Sequence, residues 1–163
     1  MAEEPPSELT RPPDDKDLAL LARELNRLGA RYMVIGGVAV NRLGFIRATE
    51  DIDLLIARDR DNQQRVKRAF EILPDRAVME LGDDDLTQWV VVRVNDAITV
   101  GLMTEASGAR FEEVQDLIDW VEIDEVRIPF ASAKLLLRMK QQSVREKDVM
   151  DRRFLKTLIR ESS

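Results

Sequence analysis

The strongest structural signal lies in residues 32–56, which read YMVIGGVAVNRLGFIRATEDIDLLI. The stretch opens with apolar, β-prone residues, passes through a glycine pair at 36–37, and ends in a second apolar run over 51–56 that begins with two acids. Between the two runs, residues 38–43 have a helical composition, and Gly44 follows them as glycine often follows a helix. The pattern predicts a strand, a short helix and a buried second strand.

The two acids of the second run are spaced so that they act together. On a strand, residues i and i+2 project from the same face, with Cα atoms about 6.5–7 Å apart. Asp51 and Asp53 therefore share a face, whereas Ile52 and Leu54 point into the core. Two like charges this close need a proton or a cation between them, and all-oxygen ligands favour Mg²⁺ or Mn²⁺. The alternative is a strand that begins at the surface with solvated acids.

The glycine pair adds an anion-binding signal. Gly36 and Gly37 stand where a strand would lead into a helix, and bare backbone there lets a phosphate approach the helix N-terminus. An ordinary tight turn would use the same residues. A nucleoside triphosphate carried on Mg²⁺ needs both a phosphate cradle and a carboxylate pair, so the two signals reinforce each other. Arg42 and Arg47 lie between them as phosphate contacts or as simple surface charges.

Composition limits the chemistry that the chain can perform. The 163 residues contain no cysteine and no histidine. This excludes disulfides, thiolate zinc sites, catalytic triads with histidine and imidazole acid–base catalysis. The net charge of −6 opposes non-specific binding to nucleic acid. No apolar run approaches the ~18 residues of a membrane span, and the acidic, proline-rich N-terminus is unlike a signal peptide, so we expect a cytoplasmic protein without a membrane partner.

The organisation along the chain suggests one domain with a tail. Residues 1–13 are acidic and proline-rich and predict a flexible arm. Residues 14–130 predict an α/β core, which includes a basic helix over 60–72. Residues 131–163 predict C-terminal helices packed on that core, with a hinge near Ser143.

With these motifs the sequence resembles the nucleotidyltransferase superfamily, which includes DNA polymerase beta and the minimal nucleotidyltransferases. The resemblance rests on VIGG at 34–37 and on RATEDIDL at 47–54, and it extends over about residues 31–155. Residues 128–140 and the stretch REKDVMD at 145–151 are closest to the bacterial abortive-infection type.

The resemblance implies an α+β fold, a mixed sheet flanked by helices with a C-terminal helical segment. Asp51 and Asp53 would be the catalytic and metal-binding residues, holding Mg²⁺ or Mn²⁺. The implied nucleotide contacts are Gly36, Gly37, Arg42, Arg47, Thr49 and Lys140. The implied supporting residues are Lys147, Asp148 and Asp151. A solvated, salt-bridged helix face is the alternative for Lys140 and these three.

The sequence departs from the superfamily pattern at the third carboxylate, which active members usually carry on a later strand. The runs 87–94 and 97–103 predict a hairpin with a two-residue turn at 95–96. The period of the second run puts the expected acid at Gly101, which has no side chain. Asp96 and Glu105 lie at the strand ends and are poor substitutes. Loss of a positioned base typically lowers a rate by about 10²–10⁴-fold.

The sequence therefore supports two hypotheses. The first is a Mg²⁺-dependent protein that transfers a nucleotide from a nucleoside triphosphate (NTP) such as ATP to an RNA or protein acceptor, in a toxin–antitoxin or phage-defence setting. The second is a catalytically degenerate domain that binds nucleotide or a partner protein. The identity of the nucleotide and the oligomeric state stay open.

Overall fold

The computed structural model describes residues 10–46 and 48–162 of the chain. Helices and strands alternate through most of this range. The helices are α1 (Asp15–Arg27), α2 (Gly36–Arg42), α3 (Arg60–Ala69), α4 (Asp85–Gln88), α5 (Phe111–Val114), α6 (Ala133–Lys140) and α7 (Glu146–Ser162). The strands are β1 (Tyr32–Ile35), β2 (Asp51–Ile56), β3 (Val92–Asn95), β4 (Thr99–Met103), β5 (Glu105–Ala106), β6 (Ala109–Arg110), β7 (Ile118–Ile123) and β8 (Val126–Ala131).

Six of these strands form one mixed sheet, in the order β3-β4-β2-β1-β8-β7. The central strand β2 runs antiparallel to β1 and parallel to β4, and β1 runs parallel to β8. The edge strands β3 and β7 each pair antiparallel with their neighbour. Strands β5 and β6 form a separate two-stranded sheet. The predicted fold class is confirmed: an α+β structure with a mixed sheet flanked by helices.

The local sequence determines where the first helix, α1, begins and which of its faces is buried. Asp14 caps α1 by accepting from the Asp17 backbone amide at 3.0 Å, and the Asp17 side chain accepts from the Asp14 amide at 2.8 Å. Both orphan amides are thereby satisfied. The apolar face of the helix, which includes Leu18, Leu21 and Leu25, is buried in the core. The helix ends before Gly29, whose φ of +72° suits glycine.

The strand–helix–strand pattern over residues 32–56 is confirmed. Strand β1 leads directly into α2, and β2 begins at Asp51. The β2 core face consists of buried apolar side chains, among them Ile52 and Leu54. Ile52 lines a cavity together with Leu18 of α1, so α1 covers that face of the sheet.

Two local predictions are wrong in detail. Strand β3 begins only at Val92, because residues 85–88 form a helical turn. The Asp85 carbonyl of that turn accepts a hydrogen bond from the Trp89 amide. The hairpin loop between β3 and β4 contains three residues, since Asn95 pairs with Thr99. Buried Asp96 stabilises this loop, because its carboxylate accepts hydrogen bonds from the backbone amides of residues 75, 77 and 97. The predicted helix over 60–72 is α3 followed by a 3₁₀ turn.

The C-terminal residues form two helices with a break between them, as the hinge near Ser143 predicts. Helix α6 packs against both α2 and α7. At the other end of the chain, Arg11 lies against the core: its amide donates to the Ala97 carbonyl at 3.0 Å and its guanidinium pairs with Asp17. Contacts with the core thus begin before residue 14. None of the helices in the described ranges is long and apolar enough to cross a membrane.

Candidate functional site

The two acids of β2 lie on the same face of the sheet, as their spacing predicts. Asp51 and Asp53 are half-buried, whereas Ile52 between them is fully buried. In the sheet, Asp53 is paired with Ile35 on β1 and with Gly101 on β4. The pair of carboxylates therefore stands at the centre of the six-stranded sheet.

Asp53 is enclosed between two glycines. A Cβ atom on Gly36 would lie 2.6 Å from Asp53 Oδ2, and one on Gly101 would lie 2.6 Å from Asp53 Oδ1. Gly36 also has a φ of +71°, a conformation that side chains rarely adopt. The Asp53 carboxylate can therefore occupy this position only because residues 36 and 101 are both glycines.

Burial makes the Asp53 carboxyl group a weaker acid than that of an ordinary aspartate. Desolvation, helped by the charge of Asp51, raises the pKa of Asp53 to about 6. The positive charges of Arg93, Lys147 and Lys140 oppose this rise. A cation bound at the site would relieve the same repulsion, so the carboxylate pair is electrostatically suited to a metal.

Arg93 on β3 is a site residue that the sequence analysis missed. Its Nη1 atom lies 2.5 Å from Asp51 Oδ2, and it faces Gly101 across the β3–β4 ladder. Val92 and Val94 are buried, whereas Arg93 between them is exposed. This alternation of apolar and polar residues predicts the face of the sheet on which Arg93 lies. The contact itself depends on strand order, which the sequence did not provide.

The predicted C-terminal residues converge on Lys140. Its ammonium lies 2.8 Å from Asp148 Oδ1 and 3.0 Å from Asp151 Oδ2, and the two carboxylates are 3% and 0% exposed. Although burial acts to raise it, hydrogen bonds from Lys140, Ser143 and Arg145 hold the pKa of Asp148 well below its usual range. A solvated helix face does not describe these buried acids.

Lys147 is separated from Lys140 by the break between α6 and α7, so the two lysines do not share one continuous helix face. Lys147 is exposed near the start of α7. Its charge still acts on Asp53, whose pKa it lowers.

A cavity of about 390 Å³ opens beside Asp53. It combines the bare backbone of Gly36 with the ammonium of Lys140 and the exposed guanidinium of Arg145. The volume lies within the range typical of small-ligand sites, about 300–1,000 Å³. An anionic ligand would therefore meet two cations here, both of which already pair with Asp148, together with the carboxylate of Asp53.

Three of the remaining predicted nucleotide contacts are described by the structure, and none of the three, Gly37, Arg42 and Thr49, lines this cavity. Arg42 and Thr49 line another cavity, on the Ile52 side of the sheet. Arg42 is held there by Asp119 at 2.8 Å and by the Phe130 ring, 5.3 Å from its guanidinium carbon. Gly37 is part of the first turn of α2 beside Gly36. Arg47 lies outside the described residues.

The register places Gly101 beside Asp53, at the position where the family resemblance predicts a third carboxylate. Neither alternative acid replaces it: Asp96 is used by backbone amides, and Glu105 pairs with Arg110 at 3.3 Å. Over the described part of the chain there is no group of three acids that could hold a metal ion. The pair Asp51 and Asp53 nonetheless fits Mg²⁺, which commonly takes one or two carboxylates together with substrate phosphates.

Comparison with known proteins identifies the fold. No protein-family model matches the chain, and no curated protein matches it significantly. Among solved structures it resembles the lincosamide antibiotic adenylyltransferase LnuA bound to lincomycin, with a TM-score of 0.63 and 16% identity over 91% of this chain and 99% of that one.

Two further structures support the same conclusion. An antigenic nucleotidyltransferase-like protein from Paracoccidioides brasiliensis has a TM-score of 0.52 and 20% identity over 89% of this chain and 74% of that one. A candidate nucleotidyltransferase from Thermotoga maritima has a TM-score of 0.50 and 16% identity over 95% and 99% of the two chains. The chain has the nucleotidyltransferase fold. The narrower likeness to the abortive-infection type stays a prediction.

Proposed function

We propose that the chain is a Mg²⁺-dependent nucleotidyltransferase that transfers a nucleotide from an NTP to an acceptor. The observation that carries the proposal is the position of Asp53: it shares a face with Asp51 and forms the floor of a cavity that also contains Gly36 and Lys140. A metal-bound triphosphate needs this combination of carboxylates, open backbone and cations.

Each group would have a separate task in the transfer. Asp51 and Asp53 would hold Mg²⁺, which supplies charge stabilisation at the phosphoryl oxygens when it is bound. The open backbone at Gly36 and the cations of the cavity would orient the triphosphate. An acceptor hydroxyl oxygen then bonds to the α-phosphorus while the bond to pyrophosphate breaks, and the hydroxyl proton passes to solvent water. Because Gly101 offers no base for the acceptor proton, we expect turnover to be about 10²–10⁴-fold slower than with a positioned base.

The first experiment is thermal melting with each of four NTPs, with and without Mg²⁺. A ligand at 100 times its Kd adds about 2.7 kcal/mol, which raises the melting temperature of a domain of this size by several degrees. We expect a Mg²⁺-dependent rise that Asp53→Asn abolishes and that the exposed-loop control Asp83→Asn retains. Transfer activity in Asp51→Ala equal to that of the unmodified chain would contradict the assignment.

The acceptor is proposed to be RNA, with protein as the alternative outcome. A groove of about 550 Å³ along α3 is lined by Arg65, Lys67 and Arg68, and the two arginines are exposed. Phosphate contacts from such residues dominate RNA affinity and make it salt-dependent. The double variant Arg65→Glu/Arg68→Glu should weaken RNA binding and flatten its salt dependence; unchanged values would favour a protein acceptor. A toxin–antitoxin or phage-defence setting rests on the family resemblance.

A second candidate is a degenerate domain that binds nucleotide or a partner without transfer. Two observations favour it: the absent acid at Gly101 and the ion pair that already occupies Asp51. A melting shift with an NTP but no transfer activity would support nucleotide binding without catalysis, and no shift with any of the four NTPs would support a partner-binding domain.

A further inference from the structure

Arg93 reaches Asp51 from two strands away. Strand β4 separates its strand β3 from β2, and Gly101 lies directly opposite Arg93 in the ladder. Strands are spaced about 4.8 Å apart, so the arginine side chain must extend over β4 to bring Nη1 within 2.5 Å of Asp51 Oδ2. Gly101 has no side chain to obstruct this path.

The ion pair between Arg93 and Asp51 lies where it can dissociate. The Arg93 side chain is 58% exposed, whereas that of Asp51 is 25% exposed. Both line a cavity of about 390 Å³ whose walls also include Thr10, Glu50 and Thr99. The guanidinium therefore has room to leave Asp51 without disturbing the core.

We propose that Arg93 is an intramolecular counter-ion that competes with a divalent cation for Asp51. This inference rests on the proposed function, in which Asp51 is a metal ligand. A free cation must displace the guanidinium and leave it without a partner. A cation that arrives on a triphosphate brings anionic oxygens, which a guanidinium binds well. Arg93 thereby makes the site select metal–nucleotide over free metal.

Gly101 has a second role in this arrangement. Its lack of a side chain removes an acid from the site and, at the same time, opens the route by which a cation of the chain itself reaches Asp51. Both features make the site less negative than a site with three carboxylates and no arginine would be.

The test is titration of the chain with Mn²⁺ alone, followed by electron paramagnetic resonance. Arg93→Gln should bind free Mn²⁺ about fivefold more tightly, which is the scale on which a partly exposed ion pair contributes. The control Arg110→Gln removes an exposed partner of Glu105 and should leave the affinity unchanged. In an Asp51→Asn background, the effect of Arg93→Gln should vanish.

The outcomes separate this inference from the proposed function. If Asp51→Asn weakens Mn²⁺ binding but Arg93→Gln leaves it unchanged or weaker, the competition is refuted and the metal site stands. If neither Asp51→Asn nor Asp53→Asn alters Mn²⁺ binding, the metal site itself is refuted, and the role of Arg93 with it.

Discussion

Replacing Asp53 by asparagine should stabilise the metal-free protein above neutral pH. The carboxylate accepts no hydrogen bond from the described residues, and its pKa is raised from the ordinary 3.8 to about 6. The folded state therefore binds more protons than the unfolded state between about pH 4 and pH 6. Stability contributed by this group is greatest below that window and falls as the pH rises through it.

The free energy of unfolding that ionisation of Asp53 removes follows from its raised pKa. Because the pKa is about two higher in the folded state, and each unit corresponds to 1.36 kcal/mol, the loss is about 3 kcal/mol. The isosteric amide of Asp53→Asn does not ionise, so the variant avoids this loss. We expect its free energy of unfolding to exceed that of the unmodified chain by about 3 kcal/mol at pH 8 and to match it near pH 3.5.

Urea unfolding between pH 3.5 and pH 8 in the presence of a chelator measures this difference directly. Asp83→Asn is the matched control, because it neutralises an exposed acid in a turn away from the site. A difference between Asp53→Asn and the unmodified chain that stays constant over the whole range would refute the argument from burial.

Two further substitutions test the packing around the site. Lys140→Met should destabilise the fold by about 3–5 kcal/mol, because Asp148 and Asp151 would stay buried without their cation; a loss below 1 kcal/mol in urea unfolding would contradict the network. Gly101→Ala should cost about 1–3 kcal/mol because the new methyl group meets the site carboxylate, whereas Gly82→Ala, with its nearest neighbour at 3.4 Å, should change the urea midpoint little. Equal midpoints for the two alanine variants would refute the close contact.

Much of the central sheet could be predicted from periodicity alone. The alternation of β2 indicated which face carries the acids, and the period of β4 put the expected third acid at Gly101, which the sheet pairs with Asp53. Both arguments use only the fact that a strand repeats every two residues. The Lys140 cluster was recognised from a family resemblance, and no periodicity would have joined two helices across a break.

The parts that could not be predicted depend on strand order and on competing partners. Arg93 meets Asp51 because β3 and β2 flank β4, a relation between segments that no local pattern contains. Arg42 was expected near the phosphates, but Asp119, far along the chain on β7, holds it on the other side of the sheet. Residues 85–88 turn as a helix because local hydrogen bonds outcompete an extension of β3.

The ammonium of Lys147 has a consequence for how the protein moves. Lys147 lies on α7, and its charge favours the ionised form of Asp53. Interaction free energies are reciprocal, so ionisation of Asp53 also favours the docked position of α7. Protonation at the sheet and detachment of the C-terminal helix are thus coupled equilibria. Amide exchange along α7 would accelerate as the site is neutralised, which makes the tail of the chain a reporter of the charge at its centre.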